Sequence, residues 1–267
     1  MFDACATKSA LKKALKKQLI TVNGKIATTA TLLKGGEHIE LLEPELTQPT
    51  KQLVFPLEVL LEDDYLAVVH KPAGILVSGN SFKTIARALP QNLKPSEHPN
   101  ACTPQPVHRL DYATTGLLLV GKTSTSIRKL NNLFEEKSIT KIYYAVTIGK
   151  MSQKETITEL IDGKTSETYF EVKESVTSDR FELLNLVQLF PKTGRRHQLR
   201  KHLAGIGNPI LGDRDYGSSG KILKGKGLYL HASSLEFTHP FTQEPLYISS
   251  KLPKRFLKIF KDLQITI

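Results

Sequence analysis

Three β-leaning runs follow one another between residues 141 and 190 with nothing helical between them: KIYYAVTIG (141–149), SETYFEVKESV (166–176) and FELLNLVQLF (181–190). Strands at such hairpin-like spacing pair antiparallel, because a parallel partner needs a crossover of a dozen or more residues. Helices and further strands surround this block. YLAVVHKPAGILVS (65–78) reads as a strand, a Pro-Ala-Gly turn and a second apolar strand. GLLLVG (116–121) and KGLYLHASSLEF (226–237) read as strands too. Residues 124–137 put Ile127, Leu130 and Phe134 on one helical side, and HQLRKHLAGIG (197–207) is a basic helix ending at Gly205 or Gly207. PKRFLKIFKDLQ (253–264) reads as a closing amphipathic helix, and residues 90–106, with five prolines, as a long loop. Strands adjacent in sequence outnumber those separated by helices. The expected fold class is therefore α+β, built on a mixed, largely antiparallel sheet.

The first 45 residues have a different texture. KSALKKALKKQL (8–19) places Leu11, Ala14, Leu15 and Leu19 on one helical face and lysines on the others. Asn23-Gly24 joins two β-leaning runs as a hairpin turn, and LLKGGEHIELLE (32–43) adds a Gly-Gly turn and an alternating strand. So small a unit has little core of its own. Three prolines in residues 44–56 mark a linker. The expected division is a small α/β module at 1–45, a linker at 46–56 and the main domain at 57–267.

Thirty-seven Lys and Arg against 26 Asp and Glu leave a net charge of +11. That excess suits a polyanionic partner, since each neutralised phosphate releases counterions. The charge is also clustered: Lys192, Arg195, Arg196, Arg200 and Lys201 crowd into a stretch without an acid, and Lys8, Lys12, Lys13, Lys16 and Lys17 mark the N-terminus. Cys5 and Cys102 supply neither a disulfide framework nor a zinc quartet, which favours a reducing compartment. With no signal-like segment and no apolar run approaching the roughly 20 residues of a membrane span, a soluble cytoplasmic protein is expected.

The stretch HRLDYATTG (108–116) sets an acid, Asp111, behind a histidine and an arginine at the mouth of the apolar run Leu117–Val120. A surface Arg–Asp pair would account for it at little energetic consequence. Residues 116–123, GLLLVGKT, fit the spacing of a phosphate-binding P-loop, but Leu-Leu-Leu-Val prefers a buried strand to a loop around phosphate. His197 and His202 are five apart rather than the four that aligns two ligands on a helix face, and no acid or cysteine nearby completes a metal set. Neither a nucleophile elbow nor a glycine-rich dinucleotide loop is present. The expected chemistry uses no metal, nucleotide or redox cofactor.

Four stretches together resemble the RluA-type pseudouridine synthases. HRLDYATTG matches that family's H-R-L-D-x-x-T-S-G motif, and DDYLAVVHKPAGILV (63–77) its opening motif with a Lys-Pro-Ala-Gly turn. TGRRHQLRKHLAGIGNPILGDRDYG (193–217) matches its T-G-R-T-H-Q-I-R-V-H motif and the P-I-x-G-D-x-x-Y-G beyond, while KIYYAVTIG fits the strand with the active-site tyrosine. The likeness spans about residues 57–255. Residues 8–45 resemble an S4-type RNA-binding module lacking its first helix, with Lys12, Lys13, Lys16 and Lys17 as its RNA contacts.

This resemblance implies a sheet with an RNA cleft and an isomerisation that needs no cofactor. The N-glycosidic bond of a uridine breaks, uracil turns, and a C–C bond forms. It makes Asp111 the catalytic carboxylate, which attacks the uridine or takes a sugar proton. Burial disfavours the charged carboxylate, so a cationic partner is needed, and Arg200 matches the family's partner. Tyr143 would stack on uracil and help remove its C5 proton. Arg109 would hold the space vacated by the flipped base, and substrate contacts fall also to His108, Thr114, Lys71, Arg195, His197 and Gln198. Thr115 replaces the family's serine, and Arg196 and Lys201 replace its threonine and valine, without touching a matched catalytic position. The implied partner is RNA, and the basic N-terminal module leans by analogy toward ribosomal over transfer RNA; the sequence does not reveal an oligomeric state, and a monomer is the default expectation.

Overall fold

A strand buried on both faces lies near the middle of the main sheet, and the site is built at its entrance. The structure, a computed structural model, describes residues 8–42, 53–218, 220–223, 225 and 227–260. The described residues form two compact units, divided between residues 51 and 52.

The smaller unit contains α1 (Lys8–Lys16), β1 (Ile20–Val22), β2 (Lys25–Ile26) and β3 (Ile39–Leu41). Its sheet has the order β2-β1-β3, with the expected turn at Asn23-Gly24. Ala14, Ile20 and Ala27 form its small core with Leu15 and Leu19 packed against it, whereas Leu11, on the expected apolar face, is exposed. Residues 46–52 of the expected linker lie outside the described residues, and 53–56 have no regular structure.

The larger unit runs β4 (Glu58–Glu62), β5 (Leu66–Lys71), α2 (Ile85–Ala88), β6 (Ala101–Pro106), β7 (Thr115–Thr123), α3 (Ser124–Glu135), β8 (Thr140–Ile148), β9 (Lys154–Ile161), β10 (Lys164–Ser178), β11 (Glu182–Pro191), α4 (Gln198–Gly205), β12 (Leu230–Thr238), β13 (Pro245–Ser249) and α5 (Lys254–Leu257). One ten-stranded sheet has the order β4-β5-β7-β12-β8-β11-β10-β9, with β13 on β12 and β6 on β7. All its strand pairs are antiparallel except β7 with β12, which run parallel at Thr115 and Gly116. The mixed, largely antiparallel α+β class expected from sequence is the one observed.

β7 reads as an unbroken apolar run because both of its faces are covered. Leu117 and Leu119 pack with Leu66, Val68 and Leu130 of α3, while Leu118 and Val120 pack with Ala67, Val69 and Ile85 on the other side. This disposes of the P-loop spacing. Lys122 ends in an ion pair with Glu62 at 2.8 Å, and Thr123 caps α3 by accepting from the Ser126 N–H.

Some expectations need correction. The run 75–78 is no strand: Leu76 makes an isolated bridge to Thr84, and Ile75 and Val77 turn inward instead. The proline-rich loop contains β6, which pairs irregularly with β7 at the positions its prolines allow. The α-helix of the closing segment covers Lys254–Leu257, and residues 261–264 lie outside the described residues. No helix among the described residues is long and apolar enough to cross a membrane.

Candidate active site

Residues 108–116 form the turn that leads into β7, and neighbours on both sides hold it. Thr114 N–H donates back to the Asp111 carbonyl at 3.1 Å, and Gly74 N–H donates to the Tyr112 carbonyl at 2.8 Å. Lys71, at the end of β5, is completely buried. Its ammonium donates to the carbonyls of Pro72 (3.0 Å), Tyr112 (3.3 Å) and Thr114 (2.8 Å). On the opposite side Thr115 Oγ1 meets His231 Nδ1 at 2.8 Å, and His231 Nε2 meets Ser250 Oγ at 2.8 Å. Burial drives His231 down to about 3, so this link is between neutral groups.

Lys71 gives a pH prediction. Burial pulls its amine down to about 8, against a partial counter-pull from Asp111. Below that pH three N–H donors serve three carbonyls; above it, two do. Turnover is expected to fall as pH rises through about 8, as the turn carrying Asp111 loosens. Stability moves the other way. The native value lies below the unfolded one of about 10.4, so the unfolded chain holds more protons between them and this group's contribution rises with pH. A pH–rate profile measured beside thermal melts separates the two, and a melting temperature that drops in step with turnover would refute the assignment.

Asp111 opens into a cleft of about 450 Å³ whose walls include Arg109, Tyr143, Arg195 and His197. Tyr143 comes from β8, held between β11 and β12. Burial, and then the charge of Asp111, push its phenol far up, so the ring stays protonated. Arg200 is on α4 and 6% exposed. Its Nε and Nη2 donate side-on to the two carboxylate oxygens of Asp213, both at 2.7 Å, and Nη2 also reaches Asp215 at 2.6 Å. Burial opposes the guanidinium's charge, but these bonds outweigh it and hold the group cationic. Nη1 then faces Asp111 Oδ2 at 3.9 Å, a charge contact rather than a hydrogen bond. His197, left-handed at the start of α4, sits 3.8 Å from the other Asp111 oxygen and bonds Tyr216 OH through Nδ1 at 3.0 Å. Burial keeps its imidazole neutral. Asp111 thus faces a fixed cation without being bound up by it.

A family model described as RNA pseudouridylate synthase matches residues 65–205, which contain Asp111, Tyr143 and Arg200. The chain belongs to that family. It is 32% identical, over 94% of its length and 91% of the relative's, to a Rickettsia conorii protein named ribosomal large subunit pseudouridine synthase C. The Vibrio vulnificus protein of that name is also 32% identical, over 96% of this chain and 88% of its own. Among solved structures, Human RNA Pseudouridylate Synthase Domain Containing 4 gives a TM-score of 0.62 at 27% identity, covering 76% of this chain and 92% of that one.

Within this synthase the sequence-predicted residues divide into two groups. Asp111, Tyr143, Arg109, Arg195, His197, His108, Thr114 and Gln198 all border the cleft. Lys71 and Arg200 do not: Arg200 approaches it through Asp111, and the Lys71 ammonium donates to Pro72 O and to the Tyr112 and Thr114 carbonyls of the turn that carries Asp111. Gln198 is buried and occupied, donating to Glu167 O and Thr168 Oγ1 while accepting from Thr193 and Arg195. His108 Nε2 accepts from Leu119 N–H at 2.9 Å, and burial lowers it to about 3, so it is a neutral wall. Thr114 Oγ1 is buried with no hydrogen-bond partner among the described residues. His202 diverges from His197, bonding Ser166 and Thr168. Arg200's main partner, Asp213, was missed although it lies in the matched GDRDYG stretch. The available signal was that a buried arginine fork requires a carboxylate of its own.

Proposed function

We propose that this synthase isomerises specific uridines of large-subunit ribosomal RNA, with Asp111 as the reacting carboxylate. The observation that carries this reading is Asp111 lining one cleft with Tyr143 while the Arg200 cation faces it at 3.9 Å. A uridine flipped from its stack, at a cost of a few kcal/mol, would enter there. Asp111 attacks it or removes a sugar proton. The N1–C1′ bond breaks, uracil turns, and C5 bonds to C1′; C5 loses its proton and N1 gains one, so no atom is lost. Tyr143 supports uracil by stacking, and as a protonated phenol it can hydrogen-bond but is no ready base. Arg109, exposed at the rim, would occupy the gap left in the RNA.

Ribosomal RNA is favoured because the relatives above are named for the large ribosomal subunit. The net charge of +11 suits such a polyanion. We also infer an S4-like, RNA-binding role for residues 1–45 through Lys12, Lys13, Lys16 and Lys17, and a monomer working in the cytoplasm. Tritium release from RNA labelled at uridine C5 tests the reading, with large-subunit ribosomal and transfer RNA supplied separately. Release from the ribosomal fraction is expected. Release from transfer RNA alone would reassign the substrate, and RNA binding with release from neither would favour a non-catalytic binding protein.

A further inference from the structure

The cleft has a second charged feature beside Phe134. Lys141 stands two residues before Tyr143 on β8, so both side chains leave the same face of the strand and both line the cleft. Two residues along a strand advance about 6.8 Å, roughly the distance from a base to the backbone of its own strand. Lys141 is half-buried. Its ammonium lies over the ring of Phe134, 5.9 Å from the centroid, and that ring packs on His108 at 4.8 Å. It has no ion pair or hydrogen bond among the described residues. Lys137, left-handed just beyond α3 with φ 59°, lines the same cleft. Glu135 follows Phe134 in the chain, but it is exposed and more than 4 Å from the Lys141 amine. A cation left half-dry without an anion is costly unless a ligand brings one. Burial, and then Lys137, lower the Lys141 amine, an effect a bound anion would reverse.

We propose that Lys141, backed by Lys137, seats a backbone phosphate flanking the uridine whose base rests on Tyr143. This rests on the reading that the flipped uridine occupies the cleft. It gives the synthase a second fixed point on the nucleotide: Tyr143 takes the base, Lys141 the phosphate, and the sugar between them comes to Asp111.

RNA affinity measured across a salt series for wild type, Lys141→Arg and Lys141→Met tests this, the methionine keeping the apolar stem over Phe134. Lys141→Met is expected to bind about tenfold more weakly at low salt, and its slope of log Kd against log salt should fall by about one. Lys141→Arg should keep both. A neutral methylphosphonate, placed in turn at each linkage around the target uridine, should weaken wild type at one flanking linkage and Lys141→Met no further there. An unchanged slope, or equal penalties in both proteins at every linkage, overturns the proposal. Should Lys141→Met melt abnormally, the methylphosphonate scan of wild type decides alone, and no sensitive flanking linkage refutes the phosphate seat. Binding is read without turnover. A wild type that binds by this pattern yet makes no pseudouridine would therefore remove the catalytic reading and leave the phosphate seat standing.

Discussion

Asp111→Asn is expected to leave the synthase folded and binding RNA while slowing pseudouridine formation about ten-thousandfold or more. The carboxamide has nearly the shape of the carboxylate but can neither attack a uridine nor accept a sugar proton. Its effect on the fold should be small for a reason visible in the ion-pair geometry. Arg200 does not depend on Asp111, because its fork closes on Asp213 and its remaining Nη2 capacity goes to Asp215. The Asp111 main-chain carbonyl keeps its bond from Thr114. Single-turnover product formation, set beside filter binding and a thermal melt, separates these consequences. A residual rate within tenfold of wild type would remove Asp111 from the chemistry.

A large loss of stability is expected from Gly116→Ala. Gly116 has φ +118°, and an added Cβ would stand 2.1 Å from the Ala232 carbonyl oxygen and 2.7 Å from Ala232 N. Both obstacles are backbone of β12, so no side chain can swing aside. The strained φ adds to the clash, and a loss of about 3–5 kcal/mol follows, or about 10 °C in melting temperature for a chain of this size. Gly194→Ala is the control, since Gly194 has no left-handed φ and nothing within 4 Å of an added Cβ. Activity should fall further than stability predicts, because Gly116 ends the turn that aims Asp111. A Gly116→Ala melt within about 2 °C of wild type would show that β12 can yield.

The antiparallel block at 141–190 was legible because its strands alternate or run apolar, and β7 because Leu117–Val120 at its centre is unbroken and apolar. β9 was missed for the opposite reason: Glu155, Thr156, Thr158 and Glu159 on this edge strand are exposed, so only Ile157 and Ile161 speak for a core. β6 was hidden by its prolines. Ile75 and Val77 looked like a strand because they are buried, but burial here comes from folding under α2 rather than from pairing. In the site, Asp111 and Tyr143 were named through the family resemblance of two local motifs, and the structure places both on one cleft. Lys71 could not be assigned its place, since its three carbonyl partners converge only when residues 112 and 114 turn back over β5. Asp213 was obscure because its pairing with Arg200, 13 positions away, crosses a loop and leaves no periodic mark.

The parallel contact between β7 and β12 also joins parts of the chain made far apart. β12 lies between β7 and β8, yet it is synthesised more than a hundred residues after the turn it supports: Thr115 leans on His231, 116 positions later. Contacts of such separation form late, after the loop-closure entropy of the intervening chain has been overcome. A chain emerging from the ribosome therefore carries HRLDYATTG long before it has a floor for that turn. Until residues 230–238 are made, Thr115 lacks its His231 partner and the turn that carries Asp111 lacks its β12 neighbour.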